Sequence, residues 1–142
     1  MPLTRLTNRL LVLPALLITL AAAACGGGGG GAGPENVYIA DEDDNGQSVT
    51  MSVGDMLQLM LAENPTTGYT WAIVTNDEGV LALSGEPAYE VESSAIGAGG
   101  TKTFMFQAVA PGTSVLQMIN AMQWETPVVP AETFELTIQV VE

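Results

Sequence analysis

Alternating apolar and polar positions recur along most of the chain after residue 47. The clearest case lies near the end, where one side of the segment carries the apolar residues Phe134, Leu136, Ile138 and Val140. Such a period of two residues predicts half-buried β-strands. Similar patterns occupy residues 49–53, 57–61, 69–73, 80–83, 88–92 and 101–109. No segment shows a helical repeat.

Turn-forming residues separate these segments at short intervals, as in Gly54-Asp55, residues 76–79, residues 84–87 and Pro111-Gly112. Short strands with frequent turns are typical of a β-sandwich or a barrel. A little over a hundred residues follow Pro34, which suits one compact domain. The sequence therefore predicts an all-β domain of seven or eight strands.

One loop between two predicted strands has an unusual composition: Asn64, Pro65, Thr66, Thr67 and Gly68. Proline restricts its own φ and the conformation of the residue before it, and the β-branched threonines have few rotamers. Glycine permits positive φ. Such a loop has little entropy to lose on binding, although the same residues also suit an ordinary hairpin loop.

The N-terminal segment is typical of a secretory signal. A basic start with Arg5 and Arg9 precedes an apolar stretch over residues 10–21, which is short for a bilayer span, and small residues follow up to Cys25. Small residues before a cysteine resemble a bacterial lipobox, in which the cysteine is lipidated after cleavage. Ala22 departs from the more common leucine. The alternative is ordinary cleavage after Ala24, leaving a free thiol.

These patterns divide the chain into a lipoprotein signal peptide at residues 1–24, a lipidated Cys25 with a glycine-rich tether at residues 25–35, and a domain at residues 36–142. Glycine-rich chain is a flexible linker. We expect a protein of the cell envelope, lipid-anchored at the periplasmic or extracellular face.

Charge excludes two kinds of partner. After Cys25 the sequence has sixteen acidic residues and a single basic residue, Lys102, a net charge of about −15. Nucleic acid and an anionic membrane would repel such a surface, so we expect no nucleic-acid binding and membrane contact through the lipid alone. The charge suits solubility, or steering toward a basic partner.

Several motifs together resemble the chagasin family of inhibitors of papain-like cysteine proteases, which have an immunoglobulin-like fold. The resemblance covers residues 53–55, the loop at residues 64–69 with Trp71, the glycine-rich residues 97–100, and Trp124-Glu125. It implies that three loops at one end of the sandwich occlude the protease cleft, with Thr66 against the catalytic cysteine and histidine. The implied protease-binding residues are Asn64, Pro65, Thr66, Thr67, Gly68, Gly97, Ala98, Gly99, Gly100, Gln123, Trp124 and Glu125.

The third of these loops departs from the family pattern. Relatives usually have Arg-Pro before the tryptophan, whereas this chain has Met122-Gln123, and Asn120 stands where relatives have tyrosine. Losing the proline reduces preorganisation, so we expect weaker or differently targeted inhibition. Read without the resemblance, Trp124 could be a core residue and residues 97–100 a flexible connection. The rival hypothesis is an immunoglobulin-like adhesion or ligand-binding lipoprotein that has lost inhibition.

The sequence gives little support for an enzyme. The sequence has no histidine, and its one cysteine lies at the cleavage site. Residues 41–46 resemble the start of a calcium loop, but Ser52 stands where a bidentate glutamate would complete it, so a solvated acidic turn is the better interpretation. We therefore expect no metal or other cofactor. An inhibitor of this kind needs no second subunit, so we expect a monomer.

Overall fold

The computed structural model describes residue 34 and residues 36–142. The predicted signal peptide, Cys25 and the tether apart from Pro34 lie outside the described residues. Among the residues described, no helix is long and apolar enough to cross a membrane.

Nine strands and two short 3-10 turns make up this part of the chain. The strands are β1 (Val37–Ala40), β2 (Gln47–Ser52), β3 (Met56–Glu63), β4 (Thr70–Thr75), β5 (Leu81–Leu83), β6 (Ala88–Val91), β7 (Gly100–Ala108), β8 (Gly112–Ala121) and β9 (Pro130–Val141). The turns are Glu42–Asp44 and Pro65–Thr67.

The strands form two sheets. In one sheet the order is β1-β3-β7-β5, and β6 also pairs with β7, next to β5 along the same strand. In the other sheet the order is β2-β9-β8-β4. The pairs β1 with β3 and β2 with β9 are parallel, and the remaining pairs are antiparallel. Consecutive strands β3 and β4 belong to different sheets, so the loop between them crosses the sandwich.

The core lies between the two sheets and is built from the alternating apolar positions. The larger sheet contributes Leu57, Leu59, Leu61, Leu81, Phe104 and Phe106, and the smaller sheet Met51, Trp71, Leu116, Met118, Phe134, Leu136, Ile138 and Val140. Burying these side chains on facing sheets is the main stabilising contribution to such a fold. The apolar residues that alternate in the sequence therefore face one core between the two sheets.

The structure confirms the all-β prediction and favours the sandwich over the barrel. It corrects the strand count, because the described residues form nine strands rather than seven or eight. The structure also corrects the prediction for Val53. The alternating pattern over residues 49–53 placed Val53 on the apolar face of the strand that contains Val49 and Met51. Val53 is 41% exposed because β2 ends at Ser52 and the chain turns at Gly54, whose φ is 95°.

Candidate functional site

The three segments named by the family resemblance lie at one end of the sandwich. The first loop, residues 64–69, joins β3 to β4; the glycine segment, residues 92–99, joins β6 to β7; and the third loop, residues 122–129, joins β8 to β9. Pairing brings them together, since Glu63 lies opposite Gly100 and Ala121 lies opposite both Thr70 and Pro130. A partner approaching this end meets all three segments.

The first loop is ordered by its own hydrogen bonds. Asn64 caps the 3-10 turn, and its Oδ1 accepts from the Thr66 backbone N–H at 3.2 Å and from the Thr66 hydroxyl at 2.6 Å. The Thr67 hydroxyl donates to the Asn64 carbonyl at 2.6 Å. Gly68 ends the turn with a φ of 87°, a conformation that suits glycine. Pro65, Thr66 and Thr67 remain exposed, which leaves them available for contact.

The glycine segment is held closely against the first loop. Asn64 donates from its Nδ2 to the Gly97 carbonyl at 3.0 Å. A Cβ added at Gly99 would lie 3.6 Å from the Asn64 Cβ, and one added at Gly100 would lie 2.0 Å from the Glu90 carbonyl oxygen. Gly100 therefore permits a close approach of two backbones, whereas a Cβ on Gly99 would make only ordinary contacts. This weighs against a merely flexible connection at Gly100.

The third loop packs against the first loop through Trp124. Trp124 is 69% exposed, so it is not a core residue. Its Cη2 and Cζ2 atoms lie 2.6 and 3.0 Å from the position that a Cβ on Gly68 would occupy. The methyl carbon of Met122 lies 3.8 Å from the same position. Glycine at position 68 therefore makes room for a large aromatic side chain that stays accessible to a partner.

Gln123 connects the third loop to the strand that follows the first loop. Its Nε2 donates to the Thr70 carbonyl at 3.1 Å and to the Ala121 carbonyl at 3.4 Å. The next turn is closed by the Glu125 N–H donating to the Met122 carbonyl at 3.1 Å. The family resemblance implies a proline at this position, and in this chain the hydrogen bonds of Gln123 supply order instead.

An open groove of about 430 Å³ lies beside the first loop and the glycine segment. These two segments contribute Asn64, Thr67, Glu92 and Gly99, and strands β8 and β9 contribute Asn120 and Glu132. The Asn120 Nδ2 donates to Glu132 Oε2 at 3.1 Å, while Asn120 Oδ1 is buried and finds no hydrogen-bond partner among the described residues. Asn120 therefore lines the groove at the position where the family resemblance implies a tyrosine.

Sequence reasoning missed two features at this end. The first is a partly buried ion pair, in which Lys102 Nζ lies 3.3 Å from Glu63 Oε2 at the base of the first loop. Its only sequence signal was that Lys102 is the one basic residue after Cys25. The second is Ile96, an apolar side chain next to the predicted glycine residues that is fully exposed. Periodicity could not identify it because it lies outside any strand.

The acidic residues that resembled a calcium loop are engaged in hydrogen bonds. Asp41 Oδ1 accepts from the Asp43 N–H at 2.9 Å, and Asp44 Oδ2 accepts from the Asp41 N–H at 3.0 Å. Asn45 hydrogen-bonds to the Thr133 carbonyl and the Glu135 N–H on β9. Within the described ranges, no cluster of three or more His, Cys, Asp or Glu side chains is arranged to hold a metal ion. The arrangement is that of a capped turn docked on a strand.

Comparison with known proteins agrees with this architecture. Residues 50–138 match the model of the chagasin family peptidase inhibitor I42. Chagasin of Trypanosoma cruzi is 29% identical over 102 residues, covering 67% of this chain and 90% of chagasin. Amoebiasin-1 of Entamoeba histolytica is also 29% identical over 102 residues, covering 70% of this chain and 95% of the relative.

Solved structures share the fold. The crystal structure of the cysteine protease inhibitor EhICP2 from Entamoeba histolytica superposes with a TM-score of 0.67 at 20% identity, over 74% of this chain and 96% of that protein. PbICP-C, solved in complex with falcipain-2, superposes with a TM-score of 0.55 at 14% identity, over 78% of this chain and 95% of that chain. At these identities the likeness concerns the fold.

The family match covers more than half of the chain, and it includes strands β3 to β8 and the three segments at the end of the sandwich. The chain belongs to the chagasin family of peptidase inhibitors. The sequence-based assignment as an inhibitor rather than an enzyme is therefore confirmed.

Proposed function

We propose that this chagasin-family inhibitor of cysteine proteases blocks papain-like enzymes by inserting its three loops into the active-site cleft. The observation that carries the proposal is the convergence of three segments at one end, where the first loop is hydrogen-bonded to the glycine segment and Trp124 of the third loop lies exposed on Gly68. A surface that is already ordered loses little entropy on association, so more of the contact energy contributes to affinity. Aromatic side chains such as Trp124 often dominate that energy.

Thr66 is the proposed central contact, as the family resemblance implies. It is exposed in the middle of the first loop, and its hydroxyl is already bonded to Asn64. Thr66 therefore presents the methyl group of its side chain to the cleft, and its backbone is already ordered. Inhibition in this proposal is physical occlusion, because a loop that places no scissile carbonyl at the nucleophile is not cleaved.

The test is a titration of papain with the soluble chain from residue 26 onwards. Tight inhibition with a constant near ~1 nM corresponds to about −12 kcal/mol and would support the proposal. Failure to inhibit papain and a small panel of related enzymes at ~10 μM would contradict it. The better-supported function would then be the alternative, an adhesion or ligand-binding lipoprotein that has lost inhibition. The departures from the family pattern at Met122 and Gln123 are what favour that alternative.

A charge placed at the tip should abolish tight inhibition. Thr66→Glu is expected to weaken papain inhibition by about 3 kcal/mol or more, which is over a hundredfold, because an unpaired carboxylate would be buried in the cleft. Thr113→Glu is the matched control, since Thr113 is an exposed threonine near the start of β8 at the opposite end. Equal inhibition constants for the two variants would contradict the loop assignment.

The location proposed for the domain is the membrane surface, through a lipid on Cys25. What supports this is the sequence of the first 33 residues, a basic and apolar leader with small residues before the cysteine and glycines after it. In a bacterial host, the full-length chain should incorporate labelled fatty acid and partition into detergent, and Cys25→Ser should do neither. An unmodified thiol in the N-terminal peptide of the mature protein would instead indicate ordinary signal cleavage. Monomeric behaviour in size-exclusion chromatography is expected for the soluble chain.

A further inference from the structure

The first loop has no strand pairing to close it. A hairpin loop is closed by ladder hydrogen bonds between the strands it connects, but β3 and β4 lie in different sheets. The two feet of this loop, Glu63 and Trp71, therefore need another connection if the loop is to hold one conformation. Side chains supply it.

Trp71 directs its backbone groups away from its neighbouring strand. Trp71 lies opposite Asn120 in the antiparallel pairing of β4 with β8, and β4 is at the edge of its sheet. Its N–H donates to Glu63 Oε2 at 2.7 Å, and its carbonyl accepts from Lys102 Nζ at 3.3 Å. A residue in an antiparallel pair whose two backbone groups point outward is a non-hydrogen-bonded position. Glu63 and Lys102 thus fill the place that a further strand would take.

The register of the other sheet places the two charges together. Glu63 lies opposite Gly100 across β3 and β7, and Lys102 is two residues further along β7 on the same face. Lys102 Nζ lies 3.3 Å from Glu63 Oε2, with side chains 20% and 3% exposed respectively. The Trp71 indole N–H adds a bond of 2.8 Å to the Ala62 carbonyl. Together these contacts connect the two ends of the loop, either directly or through Lys102 on β7.

We propose that Glu63 and Lys102 are positioning residues that hold the first loop in its inhibitory conformation by fastening the Trp71 backbone. The proposal rests on the three-loop mechanism above. The pair touches no protease; it raises the fraction of molecules whose loop is ready to bind. If that fraction falls to about a tenth, the apparent dissociation constant rises about tenfold.

The experiment compares Lys102→Met with Gln107→Met, a matched control at an exposed position further along the same strand. Two readouts are measured: the inhibition constant for papain, and hydrogen exchange of residues 64–71 in the free protein. We expect Lys102→Met to raise both the inhibition constant and the exchange rate about tenfold, and Gln107→Met to change neither. A lower melting temperature with both readouts unchanged would overturn the proposal.

Two further variants keep the test decisive if Lys102→Met folds poorly. Glu63→Gln retains an acceptor for the Trp71 N–H while removing the charge pair, so a smaller rise in both readouts is expected. The exchanged pair Glu63→Lys with Lys102→Glu retains opposite charges but puts a donor against the Trp71 N–H. It should therefore fail to restore exchange protection, and full restoration would show that only the charge pair matters and would contradict the fastening role.

These readouts separate failure of this inference from failure of the proposed function. Hydrogen exchange is measured on the free protein and does not depend on any protease. If the unmodified chain does not inhibit papain, the three-loop proposal fails while the exchange result still tests the role of Glu63 and Lys102. If the unmodified chain inhibits and Lys102→Met inhibits equally well, the positioning role fails alone.

Discussion

The two ends of β3 each carry a buried carboxylate, and the two are held differently. Asp55, directly before the strand, is 1% exposed and accepts from the Ser52 N–H at 2.9 Å and from Asn36 Nδ2 at 3.3 Å. Glu63, the last residue of the strand, is 6% exposed; it accepts from the Trp71 N–H and forms an ion pair with Lys102. Both satisfy the requirement that a buried carboxylate be hydrogen-bonded.

The difference lies in what each carboxylate organises. Asp55 closes a local turn, in which its own N–H donates to the Ser52 carbonyl. Its carbonyl accepts from the N–H of Ala108 on β7. Glu63 joins strands of different sheets below an exposed loop. We therefore expect changes at the Asp55 end to alter stability with little effect on inhibition, and changes at the Glu63 end to alter inhibition.

After Thr66→Glu, the largest effect on inhibition should come from the aromatic side chain of the third loop. Trp124→Ala is expected to weaken papain inhibition by about 2 kcal/mol or more, roughly thirtyfold, because exposed aromatic anchors dominate many interfaces. Thermal unfolding should change little, since the side chain is 69% exposed and stands outside the core. Inhibition within twofold of the unmodified chain would remove Trp124 from the interface.

At the opposite end, Asp55→Ala should reverse that pattern. The change leaves the Ser52 N–H without its acceptor, so a loss of about 1–3 kcal/mol in the free energy of unfolding is expected, with a melting temperature lower by several degrees. Papain inhibition should stay unchanged at temperatures where the variant is folded. Weakened inhibition by a fully folded Asp55→Ala protein would show that the two ends are coupled.

A smaller effect is expected at the residue that replaces the proline of relatives. Gln123→Ala removes the hydrogen bonds to the Thr70 and Ala121 carbonyls, each worth about 1 kcal/mol or less at an exposed site. Papain inhibition should weaken about fivefold, mainly through faster dissociation, because the third loop is less ordered. Stopped-flow association and dissociation rates measure this. An unchanged dissociation rate would mean that these bonds do not organise the interface.

The smallest effect concerns Tyr38, next to Asp55. Burial, and then the negative charge of Asp55, raise the pKa of the Tyr38 hydroxyl above its usual value of 10.0. The folded state therefore keeps this proton at pH values where the unfolded chain has lost it, so stability is unaffected below pH 10 and falls as the pH rises above it. Denaturant unfolding between pH 9 and 11 should show this decrease, and Tyr38→Phe should lessen it. The same slope in Tyr38→Phe would assign the decrease to other groups.

The sequence was most informative where one face of a strand meets one core. The last strand was predicted correctly because Phe134, Leu136, Ile138 and Val140 all lie on the buried face of β9. The first strand was not predicted. Val37 and Ile39 are exposed while Ala40 is buried, so β1 carries apolar residues on both faces and shows no clear period of two.

The candidate site also has features that the sequence could predict and features that it could not. Composition alone indicated that residues 64–68 form a stiff loop, because the conformational limits of proline, threonine and glycine are local properties. The packing of Trp124 on Gly68 and the bond from Gln123 to Thr70 could not be predicted, since they join loops more than fifty residues apart in the chain.

The amino-acid sequence was enough to predict the all-β class, the acidic surface, the stiff loop and membership of an inhibitor family. Each of these depends on residue type and short-range spacing. The pairing of Glu63 with Lys102 is seen only in the folded domain, because it depends on the register between β3 and β7. Their hydrogen bonds to Trp71 likewise depend on the facing positions of β3 and β4 in two sheets. Contacts between sheets follow from the packing of the whole domain, which no local pattern records.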